Sequence, residues 1–250
     1  MARINPSLLE QLQGVIERTY DLDTGVRDIG RFVIGDEGYR NLYSESSQAG
    51  QLIEKVGSAE TGGTNARAGT RTGARTGART MVRQSGDGAM AVSVYYPDSL
   101  IDCLERNDPT RRLDDANIDA FGVLVEELDH FLVIAERFRS RGVVSLLDLE
   151  LHANVTKYLA MSLFVARLRR AASLTPGDVE WIRWHLFDKG EFSDPDPDIR
   201  GRYRDAARLA ARYVSALEMV PSGHRLCELR RFHRMAPQAK IAHCASQKPH

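Results

Sequence analysis

Acidic and basic side chains recur on two long, mostly apolar stretches of this chain, at residues 115–139 and 145–170. In the first stretch, Glu127 and His130 stand three residues apart, so that on a helix they share a face and can touch each other or bind the same ligand. Polar groups in an apolar setting cost free energy unless they are paired or hold a ligand. Any chemistry in this protein is therefore expected on these two stretches.

The second stretch carries Glu150, Asn154 and Lys157 at positions i, i+4 and i+7, which lie on one flank of a helix. The connection between the stretches, SRGVVS, is short, and short connections favour antiparallel packing of neighbouring helices. If the two polar flanks face each other, Glu127 and His130 join these three residues in a single cluster.

One hypothesis for this cluster is a metal centre. Glu127, His130 and Glu150 are the candidate ligands of one divalent metal ion, because carboxylate oxygens and imidazole nitrogens bind such ions. Lys157 or Glu126 is the candidate catalytic residue that handles a proton, in a metal-dependent hydrolase or redox protein. The Glu-x-x-His spacing is half the motif of di-iron carboxylate bundles, but the chain has no second copy and no His-Glu-x-x-His.

The other hypothesis is a structural network, in which Lys157 pairs with Glu150 or Glu127 and fixes the register of the helices. The protein would then be non-catalytic and would act through contacts with a protein partner. Helical angles measured from the main apolar stripe predict that three further acids of the first stretch face water: Glu126, Asp129 and Glu136.

Three other patterns are weaker. An acidic loop matches four positions of a calcium-loop template, but Ile199 stands where the sharp turn needs Gly, so a helix-entry loop is expected. Trp181 and Trp184 have the spacing of core residues on an amphipathic helix. The His and Cys residues of the tail are irregularly spaced for a zinc knuckle. The residues that match the calcium-loop template are Asp194, Asp196, Asp198 and Asp205. The His and Cys residues of the tail are His224, Cys227, His233, His243 and Cys244.

The composition excludes several classes of protein. Lys plus Arg and Asp plus Glu number 34 each, so net charge attracts the chain neither to nucleic acid nor to an acidic membrane. No window approaches the roughly 18 consecutive apolar residues of a membrane span. The first residues lack the apolar block of a secretion signal. Three scattered cysteines argue against a disulfide framework, and we expect a cytoplasmic protein.

These patterns predict a mainly helical fold, a multi-helix globular core with one small antiparallel hairpin near 80–96. Residues 1–56 are expected to form a small N-terminal helical unit, and 80–220 the helical core. The Gly/Thr/Arg-rich segment 57–79 has no large apolar side chain and is expected to be a flexible linker. Because it has no aromatic residue that could stack on a base, contact with nucleic acid is not expected. Residues 221–250 are expected to be a basic, partly disordered tail.

Overall fold

The computed structural model describes residues 6–46, 77–84, 90–189 and 196–247. These residues form nine α-helices, three short strands, a 3₁₀ turn at Ile29–Phe32 and a π-helical turn at Trp184–Asp188. The helices are α1 (Pro6–Tyr20), α2 (Asp36–Ser46), α3 (Asp98–Arg106), α4 (Ile118–Ser140), α5 (Leu146–Arg169), α6 (Pro176–Arg183), α7 (Pro197–Met219), α8 (Ser222–Arg234) and α9 (Pro237–Ser246). The strands are β1 (Val33–Ile34), β2 (Arg79–Gln84) and β3 (Met90–Tyr95). The predicted mainly helical fold is confirmed.

The predicted hairpin is present but belongs to a larger sheet. Strands β2 and β3 pair antiparallel, as expected, and β1 adds to the other edge of β3 in the parallel direction, with Val33 opposite Val94. The sheet is therefore mixed and three-stranded. A strand of two residues is too short to show an alternating pattern, so only its tertiary contact with β3 reveals it. The predicted linker at 57–79 lies outside the described residues, apart from the last three.

Helices α4 and α5 form the centre of the molecule, and α7 packs along α5. Both central helices end at an arginine in the left-handed conformation, Arg141 (φ 54°) and Arg170 (φ 51°), whose backbone N–H groups bond the carbonyls of the last turn. The helix α6 begins with a capping box in which Thr175 and Asp178 each accept a hydrogen bond from the other's backbone N–H. These caps fix where each central element begins or ends.

Helix α1 packs in the same apolar core, against α4 and α8. Its inward side chains Leu8, Leu12, Ile16 and Tyr20 are buried. The described part of segment 1–56 therefore shares its core with the rest of the protein.

Within the segment 221–250, which was predicted to be a basic and partly disordered tail, residues 222–246 form α8 and α9. Phe232, Lys240 and Cys244 are fully buried. The segment is rich in basic residues, and one of them, Lys240, enters the core as part of an ion pair with Asp148. Among the described residues, no helix combines the length and apolarity that crossing a bilayer requires.

Candidate functional site

The antiparallel packing of α4 and α5 buries all five of the predicted cluster residues: Glu127, His130, Glu150, Asn154 and Lys157. The shortest charged contact joins Lys157 Nζ and Glu126 Oε2, which are 2.6 Å apart. The side-chain amide of Asn154 donates a hydrogen bond to the backbone carbonyl of Glu150, one turn earlier in α5.

The expectation that Glu126 and Asp129 face water is wrong, since both are buried. Angles measured from one apolar stripe assume that a helix has a single covered face. Helix α4 is covered by α5 on one side and by α1, α3 and the sheet on others, so most of its length is buried. Lys157 accordingly pairs with Glu126, and not with Glu150 or Glu127 as the pattern suggested.

The His130 ring stands between two carboxylates. Its Nδ1 is 3.8 Å from Glu127 Oε2, and its Nε2 is 3.8 Å from Glu150 Oε2. Both distances exceed a normal hydrogen bond. The two acids face opposite nitrogens of the ring. A metal ion bound to Nε2 would therefore lie beside Glu150, while Glu127 would orient the ring through Nδ1. In the described parts of the chain, no group of three or more His, Cys, Asp or Glu is arranged to hold a metal ion.

Glu127 has a further contact that the sequence did not indicate. Thr80, on β2, places its Oγ1 2.9 Å from Glu127 Oε2 and 3.0 Å from the backbone oxygen of the same residue. The hydroxyl thereby ties the sheet to α4 beside the cluster. Strand residues that contact a helix across a fold have no local sequence signal.

The electrostatics of the cluster favour a protonated histidine. Burial alone lowers the pKa of His130, but the carboxylates of Glu127, Glu150 and Glu126 outweigh it and raise that pKa to about 10. Burial raises the pKa of Glu150 to about 7, although the neighbouring His130 opposes the shift. At neutral pH the His130 imidazole is therefore protonated and lies among three glutamates. An imidazolium must lose its proton before it can bind a metal.

Helix α7 completes the cluster with Arg202 and Tyr203. Burial and the negative charges of Glu150 and Glu126 raise the pKa of Tyr203, whereas Arg202 lowers the pKa of Glu150. Four buried atoms here lack a hydrogen-bond partner among the described residues: His130 Nε2, Glu150 Oε2, Arg202 Nε and Tyr203 Oη. The sequence indicated that Tyr203 points inward, but not that α7 packs beside Glu150.

A second buried polar network lies on the other flank of the same helices. Asp129 accepts hydrogen bonds from His152 Nδ1, at 2.9 Å, and from Thr156 Oγ1, at 2.7 Å. The far nitrogen of His152 is 3.2 Å from Nδ1 of His233, on α8, and Tyr20 Oη is 2.9 Å from Thr156 Oγ1. The network therefore joins α1, α4, α5 and α8. Sequence analysis missed it because Asp129 was assigned to the wet face.

The arrangement has two chemical capacities. The Glu126–Lys157 pair can hold α4 and α5 in register. The unpartnered atom of Glu150, and that of His130 once the ring has lost its proton, can accept a proton or a ligand. The His and Cys residues of the tail do not form a third site, since His233 faces His152 and Cys244 is buried in the core. A scan against protein-family models, a search of curated proteins and a search of solved structures find no match to this chain.

Proposed function

We propose that this chain is a non-catalytic helical protein that acts by contact with a protein partner, and that its buried Glu–His–Lys cluster is structural. The observation that carries the proposal is the 2.6 Å contact between Lys157 and Glu126 deep between α4 and α5. A catalytic group must reach its substrate. Glu126, Glu127, His130, Glu150 and Lys157 are all buried, which opposes their contact with a substrate in solution.

The ion pair specifies one packing of the central helices. If α4 slid by one residue along α5, Lys157 and Glu126 would separate, and each would be left charged in an apolar setting. Removing one partner of a buried pair costs roughly 3–5 kcal/mol. A cost of that size is enough to exclude neighbouring registers, because an entire domain is stable by only about 5–15 kcal/mol.

Contact with a partner protein is supported by the large apolar side chains left on the surface. Trp184 and Met219 are both exposed, and both belong to residue types that are enriched at protein interfaces. We expect the double substitution W184S/M219S to weaken retention of a specific protein from a lysate of the source cells at least tenfold, with unchanged unfolding free energy. The same proteins retained equally by both forms would contradict this role for the two residues.

The structural role of the ion pair is tested by K157M. This substitution leaves the Glu126 carboxylate buried without its ammonium, so the unfolding free energy in urea should fall by about 3–5 kcal/mol. The double variant E126M/K157M replaces the pair with apolar side chains of similar size and should recover to within about 1 kcal/mol of wild type. E105M, on the exposed side of α3, is the matched control and should be nearly neutral. Equal losses in the single and double variants would refute the proposal.

A second candidate function is a metal-dependent hydrolase or redox protein, favoured by the unpartnered His130 Nε2 and Glu150 Oε2. Once deprotonated, these atoms can bind a divalent ion, with Lys157 or Glu126 to handle a proton. Elemental analysis of protein purified without added metal separates the candidates. One metal ion per chain, lost in H130Q/E150Q, would establish the metal site and overturn the structural proposal; a substoichiometric content equal in both forms would remove this candidate.

A further inference from the structure

A surface cleft of about 840 Å³ lies between the loop before α4, the end of α5 and the start of α6. It is separate from the buried cluster. Its apolar wall is formed by Leu113, Val165, Leu168 and Trp181. Clefts that bind small molecules have volumes of about 300–1,000 Å³ and are mostly apolar with a few fixed polar groups. The cleft therefore has the size and lining of a ligand site.

Asp115 is the fixed polar group of this cleft. Its Oδ1 accepts hydrogen bonds from Trp181 Nε1, at 3.2 Å, and from His185 Nε2, at 3.0 Å. The side chain is nevertheless 81% exposed, and its Oδ2 has no hydrogen-bond partner in the described structure. Hydrogen bonds from Trp181 and His185 lower the pKa of Asp115, so the group is an anion at neutral pH. One oxygen is thus held in place while the other faces solvent.

The imidazole behind Asp115 is held by an unusual piece of backbone. His185 lies in the π-helical turn that follows α6, and its side chain is almost fully buried. The edge of the ring packs against Trp181, with centroids 4.8 Å apart, and Nδ1 lies 3.4 Å from Lys189 Nζ. π-helical turns are rare and frequently occur at functional sites. Here the turn orients the donor that fixes the carboxylate.

The other charged side chains of the cleft already have partners. They are Arg112 with Asp114 at 2.5 Å, Arg169 with Asp178 at 2.5 Å, and Arg111 with Asp108 at 3.5 Å. Lys189, the cation beside His185, pairs with Asp119 at 2.9 Å. The carboxylate oxygen that remains open to a ligand is therefore Asp115 Oδ2. A ligand that complements it carries a positive group beside an apolar body.

We propose that this cleft binds an organic ammonium ion. Asp115 is the counter-ion of the ammonium group, and Trp181 and the other apolar residues of the wall contact the hydrocarbon part of the ligand. An N–H donor to a carboxylate forms a charge-assisted hydrogen bond, which is roughly twice as strong as a neutral one. The indole of Trp181 adds an attraction for the cation where the ammonium lies over its face. The ammonium belongs either to a free amine or to the lysine side chain of a polypeptide.

A series of three probes with the same apolar body tests the charge that the cleft selects. The probes are 4-phenylbutylammonium, 4-phenylbutanol and 4-phenylbutyrate, each titrated into the ¹⁵N-labelled full chain. The chain has two tryptophans, so its indole N–H groups give two resonances, which W181F assigns. We expect the ammonium to shift the Trp181 resonance saturably, with a dissociation constant at least tenfold below that of the alcohol. Equal binding of the ammonium and the alcohol, or tighter binding of the carboxylate, would overturn the proposal.

The substitution D115N tests the counter-ion. Asparagine keeps an oxygen that can accept from Trp181 and His185 but removes the charge, so the preference for ammonium over alcohol should fall about tenfold. D102N, on the exposed side of α3, makes the same change of net charge outside the cleft and should leave the preference intact. An undiminished preference in D115N would refute the role of Asp115.

A further arm of the experiment distinguishes the two sources of the ammonium. A blocked heptapeptide, with one lysine among alanines, is titrated beside 4-phenylbutylammonium. Tighter binding of the peptide assigns the cleft to a polypeptide lysine, and tighter binding of the small amine assigns it to a free amine. Failure of both probes to shift the Trp181 resonance would overturn the proposal.

Discussion

At the scale of single residues, two buried histidines show that burial does not by itself set a protonation state. The pKa of His130 is raised to about 10, because three glutamates outweigh the cost of burying its charge. The pKa of His233 is lowered to about 2, because burial is reinforced by the nearby His152 and Lys240. The sign of the surrounding charge decides between the two outcomes.

The raised pKa of His130 predicts how stability depends on pH. Its pKa lies above the ordinary 6.5, so its contribution to stability is complete below about pH 6.5 and is lost as the pH rises through about 10. We expect the unfolding free energy in urea to fall over this interval and to fall less steeply in H130Q. The raised pKa of Glu150 acts at lower pH, since that contribution is complete below about pH 4.5 and lost as the pH rises through about 7.

The control for this pH series is H224Q, because His224 is exposed on α8. Buried tyrosines with raised pKa values lower the stability only above about pH 10, the ordinary pKa of tyrosine, so they contribute little over the interval in which His130 acts. The difference between wild type and H130Q therefore isolates His130. A slope unchanged by H130Q would contradict a protonated His130 in the folded protein.

At the scale of elements, the periodicity of apolar residues predicted where the central helices lie in the sequence, but it did not predict which elements cover each of their faces. The stretches 115–139 and 145–170 correspond to α4 and α5 within about three residues at each end. Apolar side chains at a helical period are a local property, so one sequence suffices to find them. The partners of α4 are set by long-range packing, which is why Glu126 and Asp129 were placed on the wrong face. The same limit applies to α9, whose Lys240 and Cys244 are buried by contacts with distant parts of the chain.

The docking of α9 predicts the reactivity of the cysteines. Burial raises the pKa of Cys244 to about 12, with Lys240 opposing the shift, so the thiol should react only when α9 detaches. In a C103S/C227S background, we expect a disulfide reagent to label Cys244 at least 100-fold more slowly in the native protein than in urea. The substitution K240M leaves Asp148 buried without its ammonium and should speed native labelling at least tenfold.

A matched measurement uses the exposed thiol. In a C103S/C244S background, Cys227 should react at nearly the same rate with and without urea, because it is exposed on α8. Native labelling of Cys244 as fast as that of Cys227 would show that α9 is not docked in solution.

At the scale of the whole molecule, one apolar core runs from α1 to α9. It includes Leu12 and Tyr20 of α1, Leu128 of α4, Tyr213 of α7 and Cys244 of α9. The network of Asp129, His152 and His233 adds polar contacts among α1, α4, α5 and α8. Elements that share a core gain stability from one another, so they are expected to unfold together.

This shared core predicts a single unfolding transition. In calorimetry, the measured enthalpy should equal the van't Hoff enthalpy, as in two-state unfolding. The substitution L12A removes a fully buried side chain of α1 and should cost about 2–5 kcal/mol while the transition stays single. Two transitions, of which L12A shifts only one, would instead show that residues 1–56 unfold independently of the core.

The amino-acid sequence by itself determined the two central helices, the hairpin strands and the polar flanks of α4 and α5, because these depend on the periodicity and type of residues that are close together in the chain. Only the tertiary structure decided that Lys157 pairs with Glu126, that Asp129 binds His152, and that Lys240 enters the core. Those pairings depend on which faces of distant helices meet. Side-chain contacts across the fold and the exclusion of water set that choice, and both are properties of the packed chain as a whole.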